Sequence, residues 1–217
     1  MKRVQNTILL AVFAGLCFSG CSLKQNHSVK PTPVKVKNPE DVRVKVSLNN
    51  RAVYVFEKDK PLLVAAVAIG KNGHATPKGQ FKAFNKQTRK RSGSYGFHIK
   101  PGTGEIIPGK RSKTPSGWSY VGYPMPYWVE FKSGYGFHAG AVWPTPRTHG
   151  CLRLHKSVAP RFFSLVDDGT PIEIAQSLPE DRTLGKSVYR PDDYQVPNSP
   201  NAVLISDAPF TSNHVYF

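Results

Sequence analysis

Closely spaced apolar segments between residues 42 and 69 constrain the fold more than any other feature of this sequence. Residues 42–48 alternate strictly between apolar and polar side chains, the pattern of a strand with one buried face. A turn at 49–50 leads into a second apolar strand at 52–56, and another turn leads into a continuous apolar run at 62–69. A continuous run of that length is typical of a strand buried on both faces. The sequence therefore predicts a β-meander at the start of the folded domain.

The rest of the chain extends this β-rich pattern. We expect further strands beginning near Phe81, over 125–131 and over 171–174, and one short amphipathic helix over 157–166. The predicted fold class is therefore mainly β, with one or two short helices.

The segment 85–119 differs from its surroundings. It carries eight basic residues against the single acid Glu105, contains several glycines and shows no clear period. We interpret it as a long basic insertion with a functional role, because long irregular segments in compact domains are more often functional than idle. A solvated, partly mobile loop is the alternative.

The N-terminus indicates export. A positively charged start precedes an apolar run at 8–18, which is shorter than the roughly 20 residues that a membrane-spanning helix needs. The run ends in Phe-Ser-Gly-Cys at 18–21, which resembles a bacterial lipoprotein cleavage box. We expect residues 1–20 to be a signal peptide and Cys21 to be lipidated. An ordinary signal peptide, with Cys21 as a bystander, is the alternative.

Composition divides the remaining chain into three parts. Residues 21–42 are polar, basic and proline-bearing, which predicts a flexible tether. Residues 43–175 hold the predicted strands and helix and form one domain. Residues 176–217 are rich in Pro, Asn and Asp without a sustained period, and we expect a tail that packs locally or stays disordered.

The charge balance indicates an anionic partner. The chain has 30 basic and 14 acidic residues, for a formal net charge of +16. Nucleic acid, anionic lipid and a cell-wall polymer bearing carboxylates all fit this charge. An exported protein does not meet nucleic acid, so the lipid surface and the wall polymer remain.

Cysteine usage singles out one thiol. If Cys17 leaves with the signal peptide and Cys21 is acylated, as we expect, Cys151 is the one free thiol left in an oxidising compartment. Such a cysteine is either a buried small hydrophobic residue or reactive, and the flanking His149, Gly150 and Arg153 favour a reactive thiol. His138 lies 13 positions upstream, at the end of a short apolar run. If the flanks of the intervening loop are strands that form a hairpin, His138 approaches the sulfur. An imidazole there either removes the thiol proton or stabilises the thiolate, which predicts a Cys151–His138 nucleophile pair.

A zinc site is a weaker reading of the same region. His138, His149, Cys151 and His155 are all ligand types that zinc accepts. However, the chain contains neither Cys-x-x-Cys nor His-Glu-x-x-His, and the spacing of His149 and Cys151 alone is weak. We therefore expect no metal and no other cofactor.

The motif around Cys151 resembles that of a known family. Thr-His-Gly-Cys-Leu-Arg at 148–153, with His138 a loop upstream, is similar to the signature of the L,D-transpeptidase catalytic domain (YkuD-like). Supporting motifs lie at 76–81, 125–127 and 169–171, and the resemblance covers roughly residues 43–175. It implies a mixed β-sandwich with a small helix.

The resemblance also implies a chemistry. Cys151 would attack the L,D-peptide bond of a peptidoglycan tetrapeptide stem and form a thioester, with His138 as general base and then acid. The carbonyl of Ala139 would orient the imidazole, and backbone N–H groups around Gly150 and Cys151 would form the oxyanion hole. Arg153 would hold the substrate carboxylate or fix the loop. Further candidates for substrate contact are Tyr127, Trp143 and His149.

Three functions fit these expectations. The first is a transpeptidase that forms 3-3 cross-links or attaches a protein to the wall, with a second stem or a wall-attached lipoprotein as acceptor. The second is a carboxypeptidase- or amidase-type hydrolase that trims or detaches stems. The third is a peptidoglycan-binding lipoprotein without turnover. In each case we expect an exported, periplasmic protein that a lipid anchors to a membrane, with the outer membrane favoured.

Overall fold

The computed structural model describes residues 36–212 and 214–217. The predicted signal peptide, the lipidation of Cys21 and residues 21–35 of the predicted tether lie outside these residues. Residues 36–42, the last part of the predicted tether, belong to the folded domain, so the prediction of flexibility is wrong for them. The Glu57 carboxylate accepts the backbone N–H groups of Lys37 and Asn38, each at 2.6 Å. None of the described helices is long and apolar enough to cross a membrane.

In the part of the chain that the structure describes, twelve strands form two sheets. In chain order they are β1 (Val42–Ser47), β2 (Ala52–Glu57), β3 (Lys60–Ala68), β4 (Gly79–Lys82), β5 (Phe84–Gln87), β6 (Arg91–Ile99), β7 (Ile106–Lys110), β8 (Ser119–Pro124), β9 (Trp128–Lys132), β10 (Tyr135–Ala139), β11 (Leu152–Leu154) and β12 (Pro171–Ala175). The predicted meander is confirmed, because β1, β2 and β3 pair antiparallel in sequence.

Helices are short. The α-helices are α1 (Ala159–Leu165), α2 (Asn201–Ile205) and α3 (Ala208–Thr211), and 3-10 turns lie at Pro39–Asp41, Arg111–Lys113, Pro179–Arg182, Leu184–Ser187 and Asp193–Gln195. Helix α1 confirms the helix predicted over 157–166. With α2 and α3, the described residues contain three α-helices, one more than the upper number expected. Both additional helices lie in the C-terminal segment, where no helical period marks them.

Nine strands form a mixed main sheet in the order β4-β12-β1-β2-β3-β11-β10-β9-β5. Two pairs, β1 with β12 and β10 with β11, are parallel, and the others are antiparallel. The two outermost strands, β4 and β5, are separated in sequence only by Ala83. The two ends of the sheet therefore lie side by side, and the sheet curves around its core. The mainly β, mixed fold is confirmed.

The core lies inside this curved sheet. Its side chains come from alternating positions of β1, β2, β10, β11 and β12, and α1 covers it. Phe162 of α1 is fully buried, and its ring centroid lies 4.5 Å from that of Phe137 on β10. This packing fixes β10 and β11 from beneath, which matters for the side chains that they carry on their other face.

The basic segment 85–119 contains regular structure, so the mobile-loop interpretation is wrong. It supplies β6 and β7, which form a second sheet with β8 in the order β7-β6-β8. Glycines made this segment look irregular, but they allow close packing here. A Cβ atom at Gly109 would lie 2.4 Å from the buried His98 ring, and one at Gly96 would lie 2.2 Å from the Val121 carbonyl oxygen. The lysines and arginines at 100, 110, 111 and 113 are exposed on this sheet.

The C-terminal segment packs on the domain, and its described part is not a disordered tail. Asp181 accepts hydrogen bonds from the hydroxyls of Ser47 and Tyr54, at 2.7 and 2.8 Å. Farther along, Leu204, Val215 and Phe217 are buried in a second apolar cluster. The sequence lacks a period here because each contact is made by an isolated residue.

Candidate active site

The strand that carries His138 and the strand that Cys151 immediately precedes lie side by side. Strands β10 and β11 are parallel neighbours, with His138 in register with Arg153 and Phe137 in register with Leu152. The predicted hairpin is therefore wrong. The segment 140–151 is a crossover of about a dozen residues, the length that a parallel connection needs. Because side chains alternate along a strand, His138, Cys151 and Arg153 project to the same face.

Cys151 and His138 line one cavity of about 330 Å³. Of the other predicted site residues, Trp143, His149 and Arg153 also line it. The half-buried thiol thus opens onto a space that a small group can enter. Residues of the second sheet form part of the wall, including Tyr95 of β6 and Tyr123 of β8.

His138 is held in one tautomer. Its side chain is 3 % exposed, and Nδ1 lies 2.7 Å from the Ala139 carbonyl oxygen. A carbonyl only accepts, so Nδ1 carries the hydrogen and Nε2 carries the lone pair. Burial, followed by the charge of Arg153, lowers the pKa of His138 to about 3, against the smaller raising effect of the Ala139 hydrogen bond. The imidazole is neutral at neutral pH and is a proton acceptor.

The β9–β10 turn and the start of β10 contact the sulfur. Sγ of Cys151 donates to the Gly134 carbonyl at 3.8 Å, and the Gly136 N–H of β10 donates to the sulfur. Burial raises the pKa of the Cys151 thiol, although the Gly136 N–H and the Arg153 charge oppose the rise. The resting pair is therefore a neutral thiol beside a neutral imidazole.

The Gly150 N–H is already hydrogen-bonded within the loop, so it does not serve as the predicted oxyanion donor. The role of Gly150 is conformational. That N–H donates to Oγ1 of Thr148 at 3.1 Å, and the same hydroxyl donates to the Cys151 carbonyl at 2.6 Å. Among the hydrogen bonds of the described residues, none uses the Cys151 N–H, so this group can donate to a ligand. Gly150 has φ +108°, and a Cβ there would lie 2.5 Å from the Tyr135 ring.

Two threonines fix this loop, and sequence reasoning did not assign them a role. Besides Thr148, the buried Thr76 donates to the Gly150 carbonyl at 3.0 Å and accepts the Gly70 N–H at 3.0 Å. Their signal was present, since each lies within a motif that supports the family resemblance. The two hydroxyls hold the backbone on both sides of Gly150, and thereby place Cys151.

Glu130 is a further residue that the sequence interpretation missed. This carboxylate is 8 % exposed and accepts hydrogen bonds from the Gly134 N–H at 2.8 Å, the Trp128 indole at 3.3 Å and the Asn85 amide at 2.5 Å. Gly134 contacts the sulfur, and the Trp128 ring lies beside His138 with centroids 6.3 Å apart. An acidic residue inside the apolar run at 125–131 was the available signal.

Arg153 brings an unneutralised charge into the cavity. Its Nε atom is buried without a hydrogen-bond partner, and no carboxylate within residues 36–212 and 214–217 forms an ion pair with it. The guanidinium lies over the Tyr123 ring, 5.9 Å from its centroid. Arg153 as a whole is half-buried. A cation partly removed from water is stabilised by an anionic partner, so this arrangement fits the carboxylate of a ligand.

The remaining predicted contacts divide into two groups. His149 is exposed at the mouth of the cavity, where it stacks on Tyr95 with ring centroids 4.2 Å apart, and Trp143 stacks against the Arg147 guanidinium at 4.1 Å. Tyr127 is not among the lining residues. Its ring packs on Phe163 of α1, and it adopts φ +57° in the turn between β8 and β9.

No metal-ligand cluster is found within the described residues. His155, one of the four ligands in the zinc interpretation, is engaged elsewhere. Its Nδ1 lies 2.7 Å from the Ser157 hydroxyl, and its Nε2 lies 3.8 Å from the Asp193 carboxylate. It does not line the cavity of Cys151.

Comparison with known proteins gives one consistent assignment. Residues 41–174 match the family model described as the L,D-transpeptidase catalytic domain, YkuD. A Bacillus licheniformis protein assigned to the L,D-transpeptidases under the name YkuD is 26% identical over 146 residues, which cover 64% of this chain and 70% of that protein.

Solved structures are similar to this chain at somewhat lower sequence identity. An L,D-transpeptidase from Stackebrandtia nassauensis has 22% identity and a TM-score of 0.47 over 70% of this chain and 63% of that one. A variant of the Enterococcus faecium L,D-transpeptidase has 25% identity and a TM-score of 0.46 over 63% of this chain and 50% of that one. This chain spans less than two thirds of either solved chain. By the match over residues 41–174, the chain belongs to the L,D-transpeptidase catalytic domain (YkuD) family.

Proposed function

We propose that this protein is a cysteine-dependent L,D-transpeptidase that acts on peptidoglycan tetrapeptide stems through a thioester acyl-enzyme. The observation that carries the proposal is that Cys151 and His138 line the same cavity. Nδ1 of His138 is held there by the Ala139 carbonyl. Family membership supports the reaction class.

Acylation begins from the neutral pair. As Sγ of Cys151 attacks the carbonyl carbon of the L,D-peptide bond, its proton passes to Nε2 of His138. The negative charge that develops on the carbonyl oxygen accepts a hydrogen bond from the Cys151 N–H. The carbon–nitrogen bond then breaks, and D-Ala leaves with the proton from His138. The product is a thioester on Cys151.

Deacylation reverses these roles. The nitrogen of an acceptor amine attacks the thioester while His138 takes a proton from that amine. His138 then returns the proton to the departing sulfur. The acceptor is the amine of a second stem or of a wall-attached lipoprotein. Water in place of the amine would make the same acyl-enzyme a hydrolase, and product analysis separates the two outcomes.

Arg153 is the proposed anchor for a substrate carboxylate. Stem peptides carry carboxylates, and this guanidinium lies in the cavity without an ion-pair partner among the described residues. The exposed bases of the second sheet would raise the local concentration of anionic wall polymer. This role is consistent with the formal net charge of +16.

Two experiments test the function. Incubation with a carbapenem followed by intact-mass analysis should give one covalent adduct, which Cys151→Ala should lack. Incubation with muropeptide tetrapeptides should release D-Ala and give cross-linked dimers. Tripeptides alone would identify a hydrolase, and neither adduct nor product would leave only the wall-binding reading.

The proposed location is the periplasm, with a lipid on Cys21 that anchors the chain to a membrane. Its support is the sequence of residues 1–21. Metabolic labelling with a radioactive fatty acid tests it, since the wild type should be labelled and Cys21→Ser should not. Fractionation of the two proteins would show whether the outer membrane is the site.

A further inference from the structure

The C-terminal segment reaches the cavity of Cys151. Asn198 and Phe217 line the cavity, and Phe217 is 5 % exposed. Both residues lie beyond the family match at 41–174. This part of the cavity is therefore built from residues that the family model does not include. We call the described residues 193–212 and 214–217 the C-terminal wall.

The C-terminal wall holds the loop that follows His138. The Phe217 carbonyl oxygen accepts the Ala141 N–H at 2.9 Å, and the Asp193 carboxylate accepts the Val142 N–H at 3.2 Å. The Tyr194 ring packs against Trp143, with centroids 5.3 Å apart. Three consecutive residues of this loop are thus fixed by the C-terminal wall.

The same segment is fastened to the opposite side of the cavity. The Phe217 ring meets Tyr123 of β8 edge-on, with centroids 6.0 Å apart. The Arg91 guanidinium of β6 donates to the carbonyls of Leu204 and Ile205 at 3.0 and 3.1 Å. Phe97, also on β6, is buried in one apolar cluster with Leu204 and Phe217. The C-terminal wall therefore joins the loop after His138 to the second sheet, and it fixes the distance between them.

We infer that the C-terminal wall sets the size of the group that reaches Cys151, with Phe217 as the specificity-determining residue. The cavity volume of about 330 Å³ is at the low end for ligand sites. Tyr123, Trp143 and Phe217 contribute aromatic rings to the lining of this space, and these rings admit a slender peptide or amine and exclude a bulky one. Under the proposed function, on which this substrate class rests, the acceptor amines are those of stems or lipoproteins whose chain is slender next to the nitrogen.

Thiol reagents of different size test the inference without requiring turnover. The purified full chain is treated with iodoacetamide or with N-(1-pyrenyl)maleimide, and labelling of Cys151 is followed by peptide mass analysis. The quantity compared is the rate with the bulky reagent divided by the rate with the small one. We expect Phe217→Ala to raise this ratio about tenfold or more, the scale of discrimination that pocket size gives.

Phe84→Ala is the matched control. It makes the same chemical change at an exposed residue of β5, the outermost strand of the main sheet. Its ratio should equal that of the wild type. Equal ratios in the wild type, Phe84→Ala and Phe217→Ala would overturn the inference.

A second variant covers loss of folding. If thermal denaturation shows that Phe217→Ala is unfolded, Phe217→Leu keeps an apolar side chain in the cluster and should raise the ratio by a smaller factor. No rise in folded Phe217→Leu would also overturn the inference. If muropeptides are not turned over but the ratio rises, the proposed function fails while the size limit stands. If muropeptides are turned over but the ratio is unchanged, the size limit fails while the proposed function stands.

Discussion

His138 and Arg153 face each other across the parallel strands β10 and β11. The register places a permanent positive charge beside the buried imidazole, and this charge lowers the pKa of His138 as well as that of the Cys151 thiol. The charge of Arg153 thus makes the nucleophile easier to ionise, and it adds to burial, the larger cause, in keeping the base neutral. The lowered pKa of the thiol favours release of the sulfur proton, whereas the lowered pKa of His138 opposes uptake of that proton by nitrogen.

Substitution of Arg153 should raise both pKa values. In Arg153→Gln, the pH at which alkylation of Cys151 by iodoacetamide reaches half its maximal rate should move upward, because the thiolate loses its nearby cation. Loss of a charged hydrogen bond to substrate should lower kcat/KM by roughly ten- to a hundredfold. Arg153→Lys keeps the charge and should restore most of the alkylation profile. An unchanged profile in Arg153→Gln would contradict this account of the charge.

The lowered pKa of His138 predicts an unusual pH dependence. A general base must be unprotonated, and a pKa of about 3 leaves His138 unprotonated at all pH values well above 3. The profile of kcat/KM against pH should therefore show no acid limb near pH 6.5, the ordinary pKa of a histidine. A loss of activity centred between pH 6 and 7 would contradict the prediction, provided that thermal denaturation shows the protein to be folded there.

Glu130 should position the sulfur and influence its ionisation. Removal of the carboxylate in Glu130→Ala leaves buried donors unpaired and should cost about 1–3 kcal/mol of unfolding free energy for each donor that finds no water. Its negative charge raises the pKa of the thiol, so the alkylation midpoint should move to lower pH. Glu130→Gln keeps the size and should show the same pH shift with a smaller loss of stability. A purely structural role would lower the melting temperature without moving the midpoint.

Thr148 should be essential for the conformation of the loop before the nucleophile. Thr148→Val keeps the shape but leaves the Gly150 N–H and the Cys151 carbonyl without their partner, which should cost about 1–3 kcal/mol. The loss of kcat/KM should be larger than the loss of folded protein explains, because the Cys151 N–H changes direction with the loop. Thr148→Ser keeps the hydroxyl and should behave as the wild type. Equal activity of the valine and serine variants would show that the hydroxyl is dispensable.

Much of the fold follows from local sequence patterns. The alternation at 42–48 and the apolar runs that follow correspond to β1, β2 and β3, since these strands bury side chains at fixed periods. The second sheet was missed for the opposite reason. Its glycines at 96 and 109 serve close packing between strands, which a single sequence does not distinguish from a flexible loop.

The site shows the same division. Cys151 and Arg153 were proposed from the motif at 148–153 and His138 from its position a loop upstream, and the structure places all three on one cavity. The parallel arrangement of β10 and β11 could not be predicted in this way, since the crossover depends on the pairing of β11 with β3, far away in sequence. The part played by Phe217 was also hidden. Its contacts with Ala141 and Tyr123 are single long-range contacts that leave no periodic pattern.

Direct capture of the acyl-enzyme is the decisive measurement. The protein is mixed with a tetrapeptide stem, quenched with acid within seconds, digested and analysed by mass. We predict that the peptide containing Cys151 gains the mass of the tripeptide acyl group, that hydroxylamine removes it, and that Cys151→Ala shows no adduct. An acyl group on any other residue, or D-Ala release by Cys151→Ala at the wild-type rate, would contradict the account.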